Sequence, residues 1–428
     1  QLRFAVSIRA QGNQLSEHRR SGCGSAGREV RFRCSRQFTS LRAFQPMNTG
    51  TEMPTAKTGA IRSQAWRIFF VLCAGFVASQ FFRVSNAVIA PELMLSLKIS
   101  PEAMGVVTGA FFLAFAAAQL PAGVLLDRFG PRRTMSSLFV VAVAGSVVFA
   151  LAQDAIGLIV GRALMGFGCG AGLMGSMVAI SRWFPTSQFA QLSSLVYTVG
   201  GVGFLMATTP LAAVSGSIGW RGAFWAMAAT TAALAVLLYF VVRDAPPGHI
   251  LHHRPPETMK EILRGLKEVF ANIDLRYIFA LQLVNYGTVL AIVGLWGGPY
   301  LNDIHGLTGV TRGNVLLAFN LAMLVGVMVY SVAERWLNTR KWTIGAGGGL
   351  SIVLLGILAL VPDLGLWPAI FLLVLFALTS AYIMLVHAHA RAVLPDHIVG
   401  RGLTLQNLAV FLGVFAIQAA SGFIIGHF

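Results

Sequence analysis

From Trp66 onward the chain falls into long apolar runs broken by short polar or basic turns. The runs are 66–90, 102–126, 135–153, 155–181, 188–213, 220–242, 274–300, 312–333, 342–361, 367–390 and 402–426, eleven in all. Each is about twenty residues or more, the length a helix needs to cross hydrocarbon at ~1.5 Å per residue. Inside a bilayer every backbone amide must be paired within its own segment, so runs of this kind are helices. Strands of a membrane barrel would alternate apolar and polar residues, and these do not. The pattern predicts an all-α polytopic membrane protein.

Composition agrees and narrows the class. Apolar residues make up 56% of the 428 and charged residues 11%, where a soluble domain carries roughly a quarter charged. That excludes a soluble enzyme and a disordered chain. The net charge of +16 first suggests a nucleic-acid partner. Its distribution says otherwise. Residues 1–46 hold nine Arg and two acids, Glu17 and Glu29, which is +7 of the total. Residues 1–65 read as a basic N-terminal tail whose first 46 positions have three readings. They are a transit peptide, a lipid-surface arm, or an over-extended gene start with translation from Met47. With the N-terminus inside, the cytoplasmic turns carry fifteen Lys and Arg, and the opposite turns carry Lys98, Arg221 and Arg312 alone. Fifteen against three sets the orientation by the positive-inside rule. The expected location is a plasma or bacterial inner membrane, with lipid as the main partner and no nucleic acid.

The chain also repeats itself. Pro91 after the first run is followed by Asp127-Arg128, and Pro299 after the seventh by Glu334-Arg335, an offset of about 207–208 residues. Two halves are therefore expected, 66–243 and 274–428, joined by 244–273, whose Ile262, Leu266, Val269 and Phe270 suggest a helix lying on the inner surface. Two equal halves of six need a twelfth span, and the expectation is that it lies beyond Phe428.

Two motifs identify the family. Gly123-Val-Leu-Leu-Asp127-Arg128-Phe-Gly130-Pro-Arg132-Arg133 resembles the G-x-L-x-D-R-x-G-R-R turn between helices 2 and 3 of the major facilitator superfamily. Arg162, Gly166 and Gly168 resemble the R-x-x-x-G-x-G pattern of that family's helix 4. The resemblance covers about 66–426 and implies two six-helix halves that rock around a central site. It also implies that Gly123, Asp127, Arg128, Gly130, Arg132 and Arg133 form a conformational latch, with Asp127 as its carboxylate. The glycines after Arg162 are expected to let a neighbouring backbone approach closely.

The buried charges carry the functional reading. Arg83 and Arg162 lie inside apolar runs, where a charge costs at least about 2.5–3.5 kcal/mol. No Asp or Glu lies in the central turns of any run. A guanidinium without a neutralising acid fits carboxylate or phosphate in a two-pronged fork. Two readings stand for each Arg: an anion-binding group, or a brace bonded to helix carbonyls. Arg83 before Ala90-Pro91, with Arg162, resembles the organic-anion branches of the superfamily, the anion:cation symporters and organophosphate antiporters. Some members of the first branch place acids where this chain has Phe82 and Cys169, which puts proton coupling through them in doubt. Drug/proton antiporters carry Gly-Pro on helix 5, absent here from Gly200 to Pro210.

The expected function is thus secondary transport of a small organic anion by alternating access, with a coupling ion, proton or sodium, and a monomeric chain. The alternatives are a proton-driven drug or metabolite exporter, and a transporter-like anion sensor. Candidate substrate contacts are Arg83, Arg162, Gln80 and Asn86, with Gln282, Asn285 and Tyr286 spaced to share one face of helix 7. His387 and His389 read as solvated or lipid-surface groups, with titration as the other option. No metal cluster, nucleophile constellation or phosphate loop is present in the sequence, so no cofactor is expected and the chain is not an enzyme.

Overall fold

The computed structural model describes residues 55–246, 273–361, 363–393 and 399–427. The basic tail to residue 54 and most of the joining segment, 247–272, lie outside them, and so does the predicted surface helix. All described secondary structure is helical. Nine of the described helices are long and apolar enough to cross a bilayer. Two of the nine run 51 and 55 residues, about 75–85 Å at ~1.5 Å per residue and more than twice the hydrocarbon thickness. Each is broken by a glycine in the left-handed region, Gly130 (φ +75°) in Pro101–Leu151 and Gly219 (φ +73°) in Thr209–Val241. Dividing them there gives eleven spans among the described residues, as the apolar runs predict.

Span 1 is Thr55–Leu97. Spans 2 and 3 are 101–129 and 131–151. Span 4 is Ala155–Cys169 and Gly172–Trp183, interrupted at Gly170. Span 5 is Thr186–Met206 with its continuation to 218, and span 6 covers 220–241. Span 7 runs from Ile273 to Asp303 through a π turn at Ile292–Trp296. Spans 8 and 9 are Gly309–Leu337 and Arg340–Leu360. Span 10 is Leu366–Ser380 and Ile383–Val393, and span 11 is Val399–His427.

Local chemistry sets these limits. Ser100 Oγ accepts from the Ala103 amide, with Pro101 at the first helical position, and this opens span 2. Asp154 Oδ1 accepts from the Gly157 amide at 2.7 Å and opens span 4. Asn338 ends span 8 in the left-handed conformation (φ +46°). Pro299 lacks the N–H that would serve a carbonyl one turn back, and the widened π turn lies just there.

Packing follows the small residues. A side chain on Gly166 would strike the Phe111 carbonyl of span 2, and one on Gly168 the Ala142 backbone of span 3. The close approach expected of that motif is what the fold shows. The core around span 1 draws on both halves: Phe82, Val84 and Leu93 pack in one apolar cluster with Phe111, Val289, Phe319 and Phe411.

Candidate substrate site

Residues 79–91 of span 1 are all buried, and Arg83 is the charged member. Arg83 is 7% exposed. Its guanidinium carbon lies 4.6 Å from the Phe115 ring centroid and 5.1 Å from that of Phe411. The two rings are themselves 4.6 Å apart and inclined at 60°. Three sides this similar place both rings on one flank of the cation, in a V, and leave the other flank clear of them. Phe115 comes from span 2 and Phe411 from span 11, so each half supplies one wall. Tyr286 meets Phe411 edge-on at 6.3 Å. The rings stabilise a desolvated guanidinium by up to about 2 kcal/mol. Among the described residues Arg83 has no ion pair, and its Nε is buried without a hydrogen-bond partner.

Arg162 is placed differently. It is 0% exposed and donates from Nη1 to the Phe82 carbonyl at 2.6 Å. Its guanidinium carbon lies 4.7 Å from the Phe111 centroid, and Nε and Nη2 are buried without partners. The bond ties span 4 to span 1 one residue from Arg83.

The remaining predicted contacts divide. Asn86 donates to Thr108 Oγ1 at 2.8 Å, which joins span 1 to span 2. Gln80 is buried against Gly203 of span 5, its Oε1 without a partner. Gln282 faces span 10, where His387 Nδ1 lies 3.2 Å from its amide and 2.9 Å from the Ile383 carbonyl. The amide atom at that contact is Nε2, and Nδ1 cannot accept from it while donating to the carbonyl, so the two contacts are alternatives set by the His387 tautomer. His387 is therefore a part-buried interhelical group, which corrects its reading as a solvated or lipid-facing one. Asn285 is buried on the same helix and faces the Tyr382 hydroxyl. Tyr286 alone of the three on span 7 reaches the aromatic wall beside Arg83.

In the motif turn, Gly123 is half-buried and Asp127, Arg128 and Arg133 are exposed. Asp127 has no ion pair among the described residues. The carboxylate that holds this turn is Asp244, just after span 6. It accepts from the Arg132 amide at 2.8 Å, so it caps the start of span 3. Arg132 Nε donates to the Tyr239 carbonyl at 2.6 Å, and its guanidinium lies 4.5 Å from the Tyr239 ring. Gly130 has both a positive φ and a position against Asp244, where a Cβ would collide with the carboxylate. Asp244 escaped the sequence reading, although an acid beside Arg243 on the basic face was its visible signal. Arg312 lies at the outer end as counted, but its burial and pairing were not read. Counted as a base of an outer turn, it is 1% exposed and ion-paired with Glu92 at 2.6 Å. Its signal was its position inside the eighth apolar run. Nothing in the sequence singled out Phe115 or Phe411.

Eleven helical spans among the described residues, with a buried cation against rings from spans 2 and 11, define a polytopic helical membrane protein. Residues 71–417 match the family model of the Major Facilitator Superfamily, and the chain belongs to that family. It is 28% identical to the nitrate/nitrite transporter NrtP of Nostoc punctiforme over 293 residues, 67% of this chain and 54% of that protein. The chain thus spans about half the length of that relative. A probable sulfoacetate transporter, SauU of Cupriavidus necator, is 24% identical over 42% of each chain. The membrane sensor protein UhpC of Salmonella typhimurium is 23% identical over 72% of each. A bacterial homologue of the human lysosomal transporter Spinster, solved inward-facing and unoccupied, superposes with a TM-score of 0.71 at 17% identity. That match covers 83% of this chain and 81% of that one.

Proposed function

We propose that the chain carries a small organic anion, a carboxylate or phosphate ester, across a plasma or bacterial inner membrane by alternating access, with Arg83 binding it. The observation that carries this is a buried guanidinium against two aromatic walls with no acid and no carbonyl bonded to it among the described residues. Such a group recruits an anion, because an unpaired charge in a low-dielectric interior is costly. Two relatives named for anions, nitrate/nitrite and sulfoacetate, support the same reading. Tyr286 adds a hydroxyl donor from span 7. The two halves are 66–243 and 274–428, and transport is coupled to a proton or sodium ion, the N-terminus being cytoplasmic.

A second reading has one observation in its favour. The sensor UhpC is matched over 72% of both chains, so a protein that binds the anion and signals stands beside the transporter. Uptake in proteoliposomes separates them. A panel of acetate, lactate, glycerol phosphate and nitrate should include an anion that is taken up. Arg83→Lys should then lower kcat/KM about a hundredfold, the loss of two charge-assisted hydrogen bonds at ~1.5 kcal/mol each. Unchanged kinetics would remove Arg83 from the site, and binding without uptake would favour the sensor.

A further inference from the structure

Arg312 is the fourth residue of span 8, at the end of the molecule away from the Asp127 turn. Its three partners come from two spans. Nη2 donates to the Val88 carbonyl and to Glu92 Oε1 on span 1, the latter at 2.6 Å. Nη1 donates to Asn302 Oδ1 at 3.3 Å, at the end of span 7. Asn302 Nδ2 donates to Asp303 at 2.8 Å, which turns the amide oxygen toward Arg312. The next two residues also cross between halves. Gly313 lies against the Thr209 backbone, and Asn314 Oδ1 accepts from Thr209 Oγ1 at 2.8 Å. One turn of span 8 therefore closes this face against spans 1 and 5. On the opposite face the turn at Gly130 makes its bonds inside its own half, to Tyr239 and Asp244.

The pair with Glu92 is incomplete. It uses one nitrogen and one oxygen, while Arg312 Nε and Glu92 Oε2 are both buried without partners. A two-pronged pair would be stronger and harder to part. When this face opens, span 1 withdraws both the Val88 carbonyl and Glu92, and Arg312 keeps Asn302 alone. An uncompensated cation then lies at the mouth.

Resting on the anion reading above, we infer that Arg312 and Glu92 form an exchangeable seal. The Glu92 carboxylate fills the anion fork of Arg312 while this face is closed, and an anion arriving from that side takes its place as the face opens. Arg312 is then the first contact of the substrate on its way to Arg83.

The seal is read with a cysteine beneath it. Ala212, 4% exposed and under Gly313, is changed to Cys with Cys23, Cys34, Cys73 and Cys169 changed to Ala. The full chain is reconstituted, and a membrane-impermeant maleimide is applied on the Arg312 side. Glu92→Gln should raise the labelling rate at least ~10-fold, since it leaves Arg312 buried without its counter-charge in the closed state. Asn302→Ala, which removes only the longer contact, should raise it about twofold and reads the same seal if the first variant does not reach the membrane. Acetate and inorganic phosphate serve as probe anions, in this background and again with Arg83→Lys. Exchange predicts that an effective anion speeds labelling in both. Unchanged labelling in Glu92→Gln and Asn302→Ala overturns the seal. An anion response that vanishes with Arg83→Lys overturns exchange at Arg312 and leaves the central site standing. A response absent from both backgrounds, with the Glu92→Gln effect intact, overturns exchange, and the anion reading falls with it only if the uptake panel also shows no transported or bound anion.

Discussion

Arg83 and Arg162 sit within one residue of a common anchor, yet the fold treats them as different kinds of cation. Both rest against aromatic rings, Arg83 on Phe115 and Phe411 and Arg162 on Phe111. Arg162 spends a nitrogen on the Phe82 carbonyl and is wholly enclosed. Arg83, the next residue after that carbonyl, has only rings on one flank. The ring from span 11 also makes Arg83 sensitive to how the halves sit, whereas Arg162 and its partners all belong to the first half. Equal charge and similar depth thus give one cation tied to a neighbouring carbonyl, with Nε and Nη2 still unpaired, and one that rests on rings alone. What separates them is which partners their N–H groups find.

The largest effect expected from this contrast is on stability. Arg162→Ala empties a fully enclosed volume and cuts the tie from span 4 to span 1. It should cost about 3 kcal/mol, in the range of large-to-small core changes, and lower Tm in detergent by several degrees. Arg162→Met, which refills the space without charge, should recover most of that Tm. Uptake per folded molecule should stay within about threefold of the parent in the Met variant, a smaller change than one lost hydrogen bond to a charged group. A loss as deep as that of Arg83→Lys would make both arginines substrate ligands and erase the contrast.

Much of this was legible in the residues and some was not, for physical reasons. Apolar runs gave the eleven spans because lipid leaves the backbone no alternative to helix. Gly130 marked a turn, and Gly166 and Gly168 marked a close approach, because only glycine serves there. Arg83 stood out because no acid lay at its depth. For Arg162, brace and ligand could not be told apart, since its carbonyl partner is 80 residues away in sequence. The pairing of Arg312 was hidden for the same reason at longer range, its Glu92 partner being 220 residues away. The i, i+3, i+4 spacing of Gln282, Asn285 and Tyr286 put them on one face. It could not show that span 10 takes the first two and leaves Tyr286 for the site.

The rings offer a finer test. Phe411→Leu keeps an apolar wall on Arg83 but removes one cation–π contact, about 1 kcal/mol. KM for the transported anion should rise about fivefold, from ~1.4 kcal/mol per tenfold, with Tm little changed. Phe111→Leu makes the same change under Arg162, and there Tm should fall by a few degrees while KM holds. If both variants moved KM alike, the rings would belong to one shared site, and the two cations with them.

The smallest effect sharpens the assignment most, because it isolates one atom. Tyr286 is edge-on to Phe411, so Tyr286→Phe leaves the ring packing in place and deletes only a hydroxyl. A hydroxyl that donates to an anion held at Arg83 contributes on the order of 0.5–1 kcal/mol. Its loss should raise KM about threefold and leave kcat and Tm unchanged. The contribution should also depend on Arg83, because the two groups would share one ligand. In the Arg83→Lys background the same deletion should therefore cost less, and the shortfall is the coupling between the two sites. Equal costs in both backgrounds would place the hydroxyl outside the anion's reach, and Arg83 would hold its ligand without a donor from span 7.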